Sequence, residues 1–447
     1  MKYAGKVLRR FVGLVLKFPV SPSAFGALIL ALRTVRVLRK PVPRNSGRIE
    51  RIFVAHPYSS VGDLVLLMPL LERLETVWSE AEIHVAIPIQ VADLLGAFTK
   101  LRCLPFPDLN LFQHGMRRNF PQLRGLMFRY RVIRNLLAFY RQEMMRYDYD
   151  LAIAPRWGSI TTWPAVYLAY LTGARRIVGY SGTVDGGSAE IDCLLTCTTS
   201  GGSHEHESER NLALLNRVGV LEEPFDAAAV LHEPIHSLLT LARHKPDAEI
   251  FGLMPNTEAY AVISPGATAA FRTWPAEQLI RVMRDLHSRT GLTFCIVGSA
   301  GDAVPCGQIV EALPHCAVSL VGRTSLRQLV RLLARAQLFI GMDSGTAHIA
   351  GALGIPTVVL CPFPSSCTAE HPNSPVRFRP CGPRVRVLQP RHPLPPCNPT
   401  CSFPVPHCIQ QISPASVLAA VAELFDTGSG VTALAEKPLE NRATRLS

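Results

Sequence analysis

Two separate series of short, β-branched apolar runs, each interleaved with helical periods, constrain this chain more than any other feature. The first starts at Arg51. Ile52–Ala55, Glu82–Ile87, Asp150–Ala154 and Arg175–Val178 read as strands, with a helix over Gly62–Val77. The second starts near residue 260. Its strands are Ala261–Ile263, Thr293–Val297, Ala317–Val321, Leu338–Ile340 and Thr357–Leu360, with helices over Ala276–Ser288 and Ser325–Ala336. Strands that alternate with helices pair in parallel and bury both sheet faces. The fold class is therefore α/β, with two Rossmann-like doubly wound domains facing a cleft. Ligands of such folds sit at the carboxyl ends of the strands. A length of 447 residues suits two domains plus extensions. The boundary falls near 225–258, where Glu222, Glu223, Pro224, Pro234, Pro246, Pro255 and Asn256 crowd together. We divide the chain into an extension (1–48), a first domain (49–235), a second domain (236–427) and a disordered tail (428–447). Ser413-Pro414 caps the last helix, Ala415–Phe425.

Charge separates the extension from the body. The net charge is +12, but residues 1–48 hold eleven basic residues and no acid, so the remainder is nearly neutral. A nucleic-acid binder would carry basic patches across its body, so that class is disfavoured. On a helical wheel of residues 2–17, Lys2, Lys6, Arg9, Arg10 and Lys17 fall within roughly 100° of one another. Val7, Leu8, Phe11, Val12, Leu14, Val15 and Leu16 fill the rest. This is the pattern of a helix lying in an anionic membrane surface; packing on the protein's own surface is the alternative. The run Phe18–Leu32 is 15 residues with two prolines, too short to span a bilayer. Lys17 interrupts the first apolar run, against a signal peptide. Twelve scattered cysteines with no export signal fit a reducing compartment. The expected location is the cytoplasm, peripheral on the inner face of the membrane.

Three loops can carry chemistry. Ser59-Ser60-Val61-Gly62-Asp63 follows the first strand. Asp63 in the first helical turn suits either helix capping or a general base facing the cleft. Ser264-Pro265-Gly266-Ala267-Thr268 leads to Arg272-Thr273-Trp274-Pro275. Thr268 and Arg272 are donors for a phosphate, and Gly266 allows close backbone approach. Met342-Asp343-Ser344-Gly345-Thr346-Ala347-His348 follows the strand 338–340. Asp343 can cap the helix that Ser344 opens, leaving the N–H groups of Ser344, Gly345 and Thr346 for a diphosphate; a capped helix with a satisfied His348 is the alternative.

These blocks, with Gly354-Ile355-Pro356, resemble glycosyltransferase family 9, the ADP-heptose:lipopolysaccharide heptosyltransferases. Leu320–Leu326, Tyr149–Ile153 and Glu209-Arg210-Asn211-Leu212 fit as well. The resemblance covers roughly 50–426. It implies a GT-B fold, with the acceptor on the first domain and the nucleotide-sugar on the second. It implies inverting transfer of a sugar, heptose from ADP-heptose, to a lipid-linked or lipopolysaccharide-core hydroxyl in a bacterium. No catalytic metal or other cofactor is implied. Asp63 would be the general base. Arg272 would stand where the family usually has Lys, against the leaving diphosphate. Asp343 would meet the donor sugar, Ser344, Gly345 and Thr346 the phosphates, with His348 behind them and Asp302 near the ribose. Two other classes share these features: a nucleotide-sugar epimerase of GT-B fold, and a non-catalytic nucleotide-sugar-binding protein on the membrane.

Residues 100–146 hold ten basic residues against Asp108 and Glu143, interleaved with aromatics. Either this stretch grips an anionic acceptor, with Ser60, Arg117, Arg118 and Arg124 as acceptor contacts, or it is a solvated Arg-rich helix. Cys397-x3-Cys401-x6-Cys408 lies in a Pro-rich loop with His392 and His407. Zinc, packed thiols and a redox pair all remain open from spacing alone, and no metal ligand is assigned. His204-Glu205-His206-Glu207 reads as a solvated turn before a helix over 208–218.

Overall fold

A computed structural model describes residues 48–108, 134–155, 163–184, 189–199, 206–218, 231–244, 248–254, 259–369, 371, 373–398, 401 and 403–426. The basic head, Arg117, Arg118, Arg124, His204, Glu205 and the tail beyond 426 lie outside the described residues.

Six parallel strands form the first sheet: β1 (Arg51–Ala55), β2 (Glu82–Ile87), β3 (Leu101–Pro105), β4 (Leu151–Ala154), β5 (Arg176–Tyr180) and β6 (Cys197–Thr199). Six more form the second: β7 (Tyr260–Ser264), β8 (Thr293–Ile296), β9 (Ala317–Ser319), β10 (Leu338–Met342), β11 (Thr357–Leu360) and β12 (Val385–Leu388). The orders are β3-β2-β1-β4-β5-β6 and β12-β11-β10-β7-β8-β9. Counted from its own first strand, each sheet runs 3-2-1-4-5-6, the order of dinucleotide-binding folds. Nine strands lie where the sequence places them. The other three, β3, β6 and β12, are all sheet edges, where one flank faces no strand and the residues need not be apolar.

Among the described residues, the helices of seven or more residues are α1 (Val61–Val77), α2 (Trp163–Leu171), α3 (Glu207–Asn216), α4 (His236–Ala242), α5 (Ala276–Thr290), α6 (Ala303–Ala312), α7 (Leu326–Arg335), α8 (Gly345–Ala352) and α9 (Pro414–Asp426). Their ends obey local chemistry. Ser325 and Gln328 cap α7 reciprocally, the Ser325 hydroxyl accepting from the Gln328 N–H at 3.3 Å and the Gln328 amide from the Ser325 N–H at 2.8 Å. α5 buries Leu279, Val282, Met283 and Leu286, spaced for one helical face, and stops at Gly291, whose φ is +71°.

Alternate residues of the second sheet feed different cores. Ala261, Ile263, Leu338 and Ile340 pack with α5 and α9. Tyr260, Val262 and Phe339 join the core that also holds β1, α1, α4 and α7. The two domains thus share one apolar core across the cleft floor. Residues 235 and 237 bond to both domains. The Ile235 N–H donates to the Ala352 carbonyl (2.8 Å), and the Ser237 N–H to Glu72 Oε1 of α1 (2.6 Å).

Candidate active site

Each sheet reverses its winding between its first and fourth strands, β1/β4 and β7/β10. Doubly wound folds bind ligands at this point. All three loops singled out in the sequence leave the carboxyl ends of β1, β7 and β10. The resulting helices, α1 and α8, meet at their N-termini. A Cβ on Gly345 would lie 2.6 Å from Val61 Cβ, and one on Gly62 would lie 2.9 Å from His348 Cδ2. Glycine at both positions lets the helix ends approach this closely. Two partial positive charges therefore converge at the cleft.

Asp63 is the third residue of α1 and is half-buried. Ser60 is the cap: its hydroxyl oxygen lies 3.4 Å from the Asp63 N–H. Capping thus falls to Ser60, and among the described residues no cation pairs with Asp63. Burial pushes its carboxyl up to about 6; the charges of Glu207 and Asp343 push the same way, and a hydrogen bond with Ser60 pulls it down. That is a carboxylate poised near neutrality, the requirement for a general base.

The opposite wall is differently wired. Arg272 Nη2 donates to Asp343 Oδ2 at 2.8 Å and to the Asp343 carbonyl at 3.2 Å. The Arg272 guanidinium also sits 5.8 Å from the centre of the Phe363 ring. With its carboxylate engaged by Arg272, Asp343 does not cap the next helix. Ser344 takes that position in an extended conformation (φ −153°, ψ 167°), and α8 begins at Gly345. With Ser344 as the cap, the N–H groups of Ser344, Gly345, Thr346 and Ala347 are the ones without partners inside the helix, so the set the sequence named is kept and Ala347 joins it. Burial drives His348 down to about 4, so the ring is neutral near pH 7. Arg272 Nε, Ser344 Oγ and His348 Nδ1 are buried and make no hydrogen bond among the described residues. Three such atoms at one strand end mark a place built for a polar ligand.

Asp302 lies beside this wall. It accepts from the Ser299 N–H and hydroxyl, both at 2.8 Å. A Cβ on Gly266 would come within about 2.3 Å of its carboxylate, so the β7 loop and Asp302 are in contact through that glycine. Thr268, on the same loop, is exposed.

Of the solvated turn expected at 204–207, His206 and Glu207 are buried instead. Glu207 opens α3 and accepts from Arg377, itself fully buried, with Arg210 Nη1 at 3.5 Å. His206 Nε2 lies 2.8 Å from the Arg379 carbonyl. A charged pair from the two domains is thus locked together behind Asp63, and its buried carboxylate needs that arginine.

A family model, glycosyltransferase family 9 (heptosyltransferase), matches residues 140–403, well over half of the chain. The chain belongs to glycosyltransferase family 9. Lipopolysaccharide heptosyltransferase 3 of Escherichia coli K12 is 28% identical over 159 residues, covering 35% of this chain and 43% of that protein. The chain thus spans less than half the length of this curated relative. Lipooligosaccharide heptosyltransferase 2 of Haemophilus ducreyi is 24% identical over 334 residues, covering 72% of this chain and 86% of the relative. The solved structure of E. coli ADP-heptose lipopolysaccharide heptosyltransferase II superposes with a TM-score of 0.55 at 21% identity, over 84% of this chain and 98% of that one. The fold is therefore GT-B.

In this family 9 chain, Arg272, Asp302, Asp343 and the α8 N-terminus lie inside the matched segment, whereas Asp63 precedes it. Two partners went unseen in the sequence. Asp108 accepts from the Ser59 hydroxyl at 2.6 Å and bridges the first loop to the end of β3. Arg377 sits 170 residues from Glu207, with no local signal joining them. Asp150, part of the resemblance, accepts from the N–H groups of Glu50 (2.9 Å) and Arg51 (3.0 Å) and so fixes the start of β1. No helix among the described residues is long and apolar enough to cross a membrane.

Proposed function

We propose that this chain is an inverting heptosyltransferase that moves heptose from ADP-heptose to a hydroxyl of a lipid-linked or lipopolysaccharide-core acceptor, without a catalytic metal. One observation carries the reading: a carboxylate with no cation among the described residues and a raised proton affinity faces an Arg272–Asp343 pair across the cleft between two domains. Residues 49–235 receive the acceptor and residues 236–427 the donor. Asp63 takes the proton of the attacking hydroxyl as the anomeric carbon inverts. The leaving diphosphate is met by Arg272 and by the N–H groups at the start of α8. Thr268 and Asp302 line the donor side, His348 supports it from behind, and Asp343 orients Arg272 and the sugar. Ser60, Arg117, Arg118 and Arg124 serve the acceptor. The basic head holds the protein on the anionic inner face of the cytoplasmic membrane. The named relatives support the donor and the acceptor class.

The test is transfer itself. Purified chain, ADP-heptose and truncated lipopolysaccharide should yield ADP and a glycan one heptose heavier, with inverted anomeric configuration by NMR. The Asp63→Asn variant should bind ADP-heptose and transfer about a thousandfold more slowly. Turnover of ADP-heptose without an acceptor would overturn the reading in favour of an epimerase. Undiminished transfer by Asp63→Asn would remove the base assignment.

A further inference from the structure

The loop between β12 and α9 gathers four soft ligands at one point. Cys397 Sγ, Cys401 Sγ, His407 Nδ1 and Cys408 Sγ all lie within 4.8 Å of one another. Cys397 and Cys401 are 3.8 Å apart, and His407 Nδ1 is 3.5 Å from both Cys397 and Cys408. A disulfide would need about 2.05 Å between sulfurs, so no pair is joined. Around one tetrahedral centre, bonds of about 2.3 Å to sulfur and about 2.0 Å to nitrogen give edges of about 3.8 Å for S···S and about 3.5 Å for S···N. Three of the six spacings match those edges, and all six lie within 4.8 Å. The second candidate histidine, His392, is not part of the group; its carbonyl accepts from Gln411 Nε2 at 2.7 Å.

Thiols alone explain the arrangement poorly. One imidazole nitrogen has a single lone pair or a single hydrogen, yet His407 Nδ1 stands equally close to two sulfurs. A cation at the centre uses that lone pair and all three sulfurs at once. The surroundings support the ligands as a metal site requires. The Leu394 N–H points at Cys408 Sγ (3.4 Å), and Phe403 stacks on the His407 ring at 4.5 Å. The three cysteines are buried.

We propose that Cys397, Cys401, His407 and Cys408 form a closed Cys3His site for zinc. Binding would release the three thiol protons. Four protein ligands leave no open position, so the ion is structural and takes no part in transfer. Its mechanical role follows from packing. Phe271 rests on the cysteine cluster, and it immediately precedes Arg272. Trp274 Nε1 donates to the carbonyl of Ile412, just past the knot, at 3.1 Å. The metal splints the segment that presents Arg272, a consequence that rests on the donor-side assignment above; the site itself does not.

The experiment uses full-length chain carrying no polyhistidine tag. Elemental mass spectrometry after dialysis should find about one zinc per chain. Cys408→Ser should lose it, and Cys306→Ala, a buried cysteine of α6, should keep it. Because Cys408→Ser risks misfolding, wild-type chain grown on cobalt gives a second readout. It should show thiolate-to-cobalt charge transfer and the intense visible bands of a tetrahedral ion. A chain free of metal, a Cys397–Cys401 disulfide in the peptide map, iron in place of zinc, or octahedral cobalt would each overturn the proposal. Zinc present without heptose transfer would sink the proposed function alone.

Discussion

The two domains share a strand order, a winding reversal and a helix that starts at the cleft, yet they present opposite electrostatics there. In the first, Asp63 faces the cleft with no cation among the described residues and a proton affinity raised to about 6. In the second, the carboxylate that follows β10, Asp343, is held by Arg272 at 2.8 Å. A carboxylate bound by a guanidinium helps fix the arginine. A desolvated one beside two other acids holds its proton more tightly and can exchange it near neutral pH. The same architecture thus makes a proton acceptor on one wall and an anion receiver on the other, by placing one arginine.

Removing the lone carboxylate breaks this contrast most severely. Asp63→Asn should lower kcat about a thousandfold while ADP-heptose binding, measured by calorimetry, stays unchanged. The same variant should be more stable. Asp63 binds its proton more tightly folded than unfolded, so stability falls as pH rises from about 4 to about 6 and the penalty is complete above that. Asn removes a cost of about 1 to 3 kcal/mol, read as a higher Tm at pH 8 but not at pH 4. In wild-type chain kcat should decline below about pH 6 as the base protonates.

Arg272→Gln comes next. It should cost about a hundredfold in kcat, weaken ADP binding, and leave the acid limb near the same pH, since Asp63 is on the other wall. Arg272→Lys should recover part of the loss, because it keeps the charge but not the reach and planar geometry of the guanidinium. A loss confined to the acceptor KM would place Arg272 on the wrong substrate.

Gly345→Ala tests whether the walls must touch. Its Cβ would come within 2.6 Å of Val61 Cβ, so α1 and α8 would have to separate. Overpacking of this kind costs about 1 to 3 kcal/mol, seen in denaturant unfolding, and transfer should suffer while ADP affinity holds.

Legibility in the sequence depended on local physics. Interior strands such as β1 and β10 are apolar on both faces and announce themselves. The edge strands β3, with Arg102 and Lys100 beside it, and β12, with Arg386, do not, because only one flank is paired. The loops around Asp63, Arg272 and Asp343 were visible because strand, glycine and helix succeed one another in order. The Glu207–Arg377 lock was not, since a charge that looks solvated in sequence is buried only by a partner 170 residues away. Ser344 displaced Asp343 as helix cap for a related reason: Arg272 claims the carboxylate first.

The smallest expected effect is also the most discriminating. Ser60 caps α1 and is hydrogen bonded to Asp63, and that bond favours the charged carboxylate. Ser60→Ala should cost about 1 kcal/mol of stability through the lost cap. It should also raise the Asp63 pKa, moving the acid limb of kcat to higher pH and lowering activity at pH 6 more than at pH 8. If Asp63 were only a helix-stabilising charge, the same variant would lower Tm and leave the pH profile in place. Because Ser60 also serves the acceptor, the acceptor KM should rise as well, and equally at both pH values.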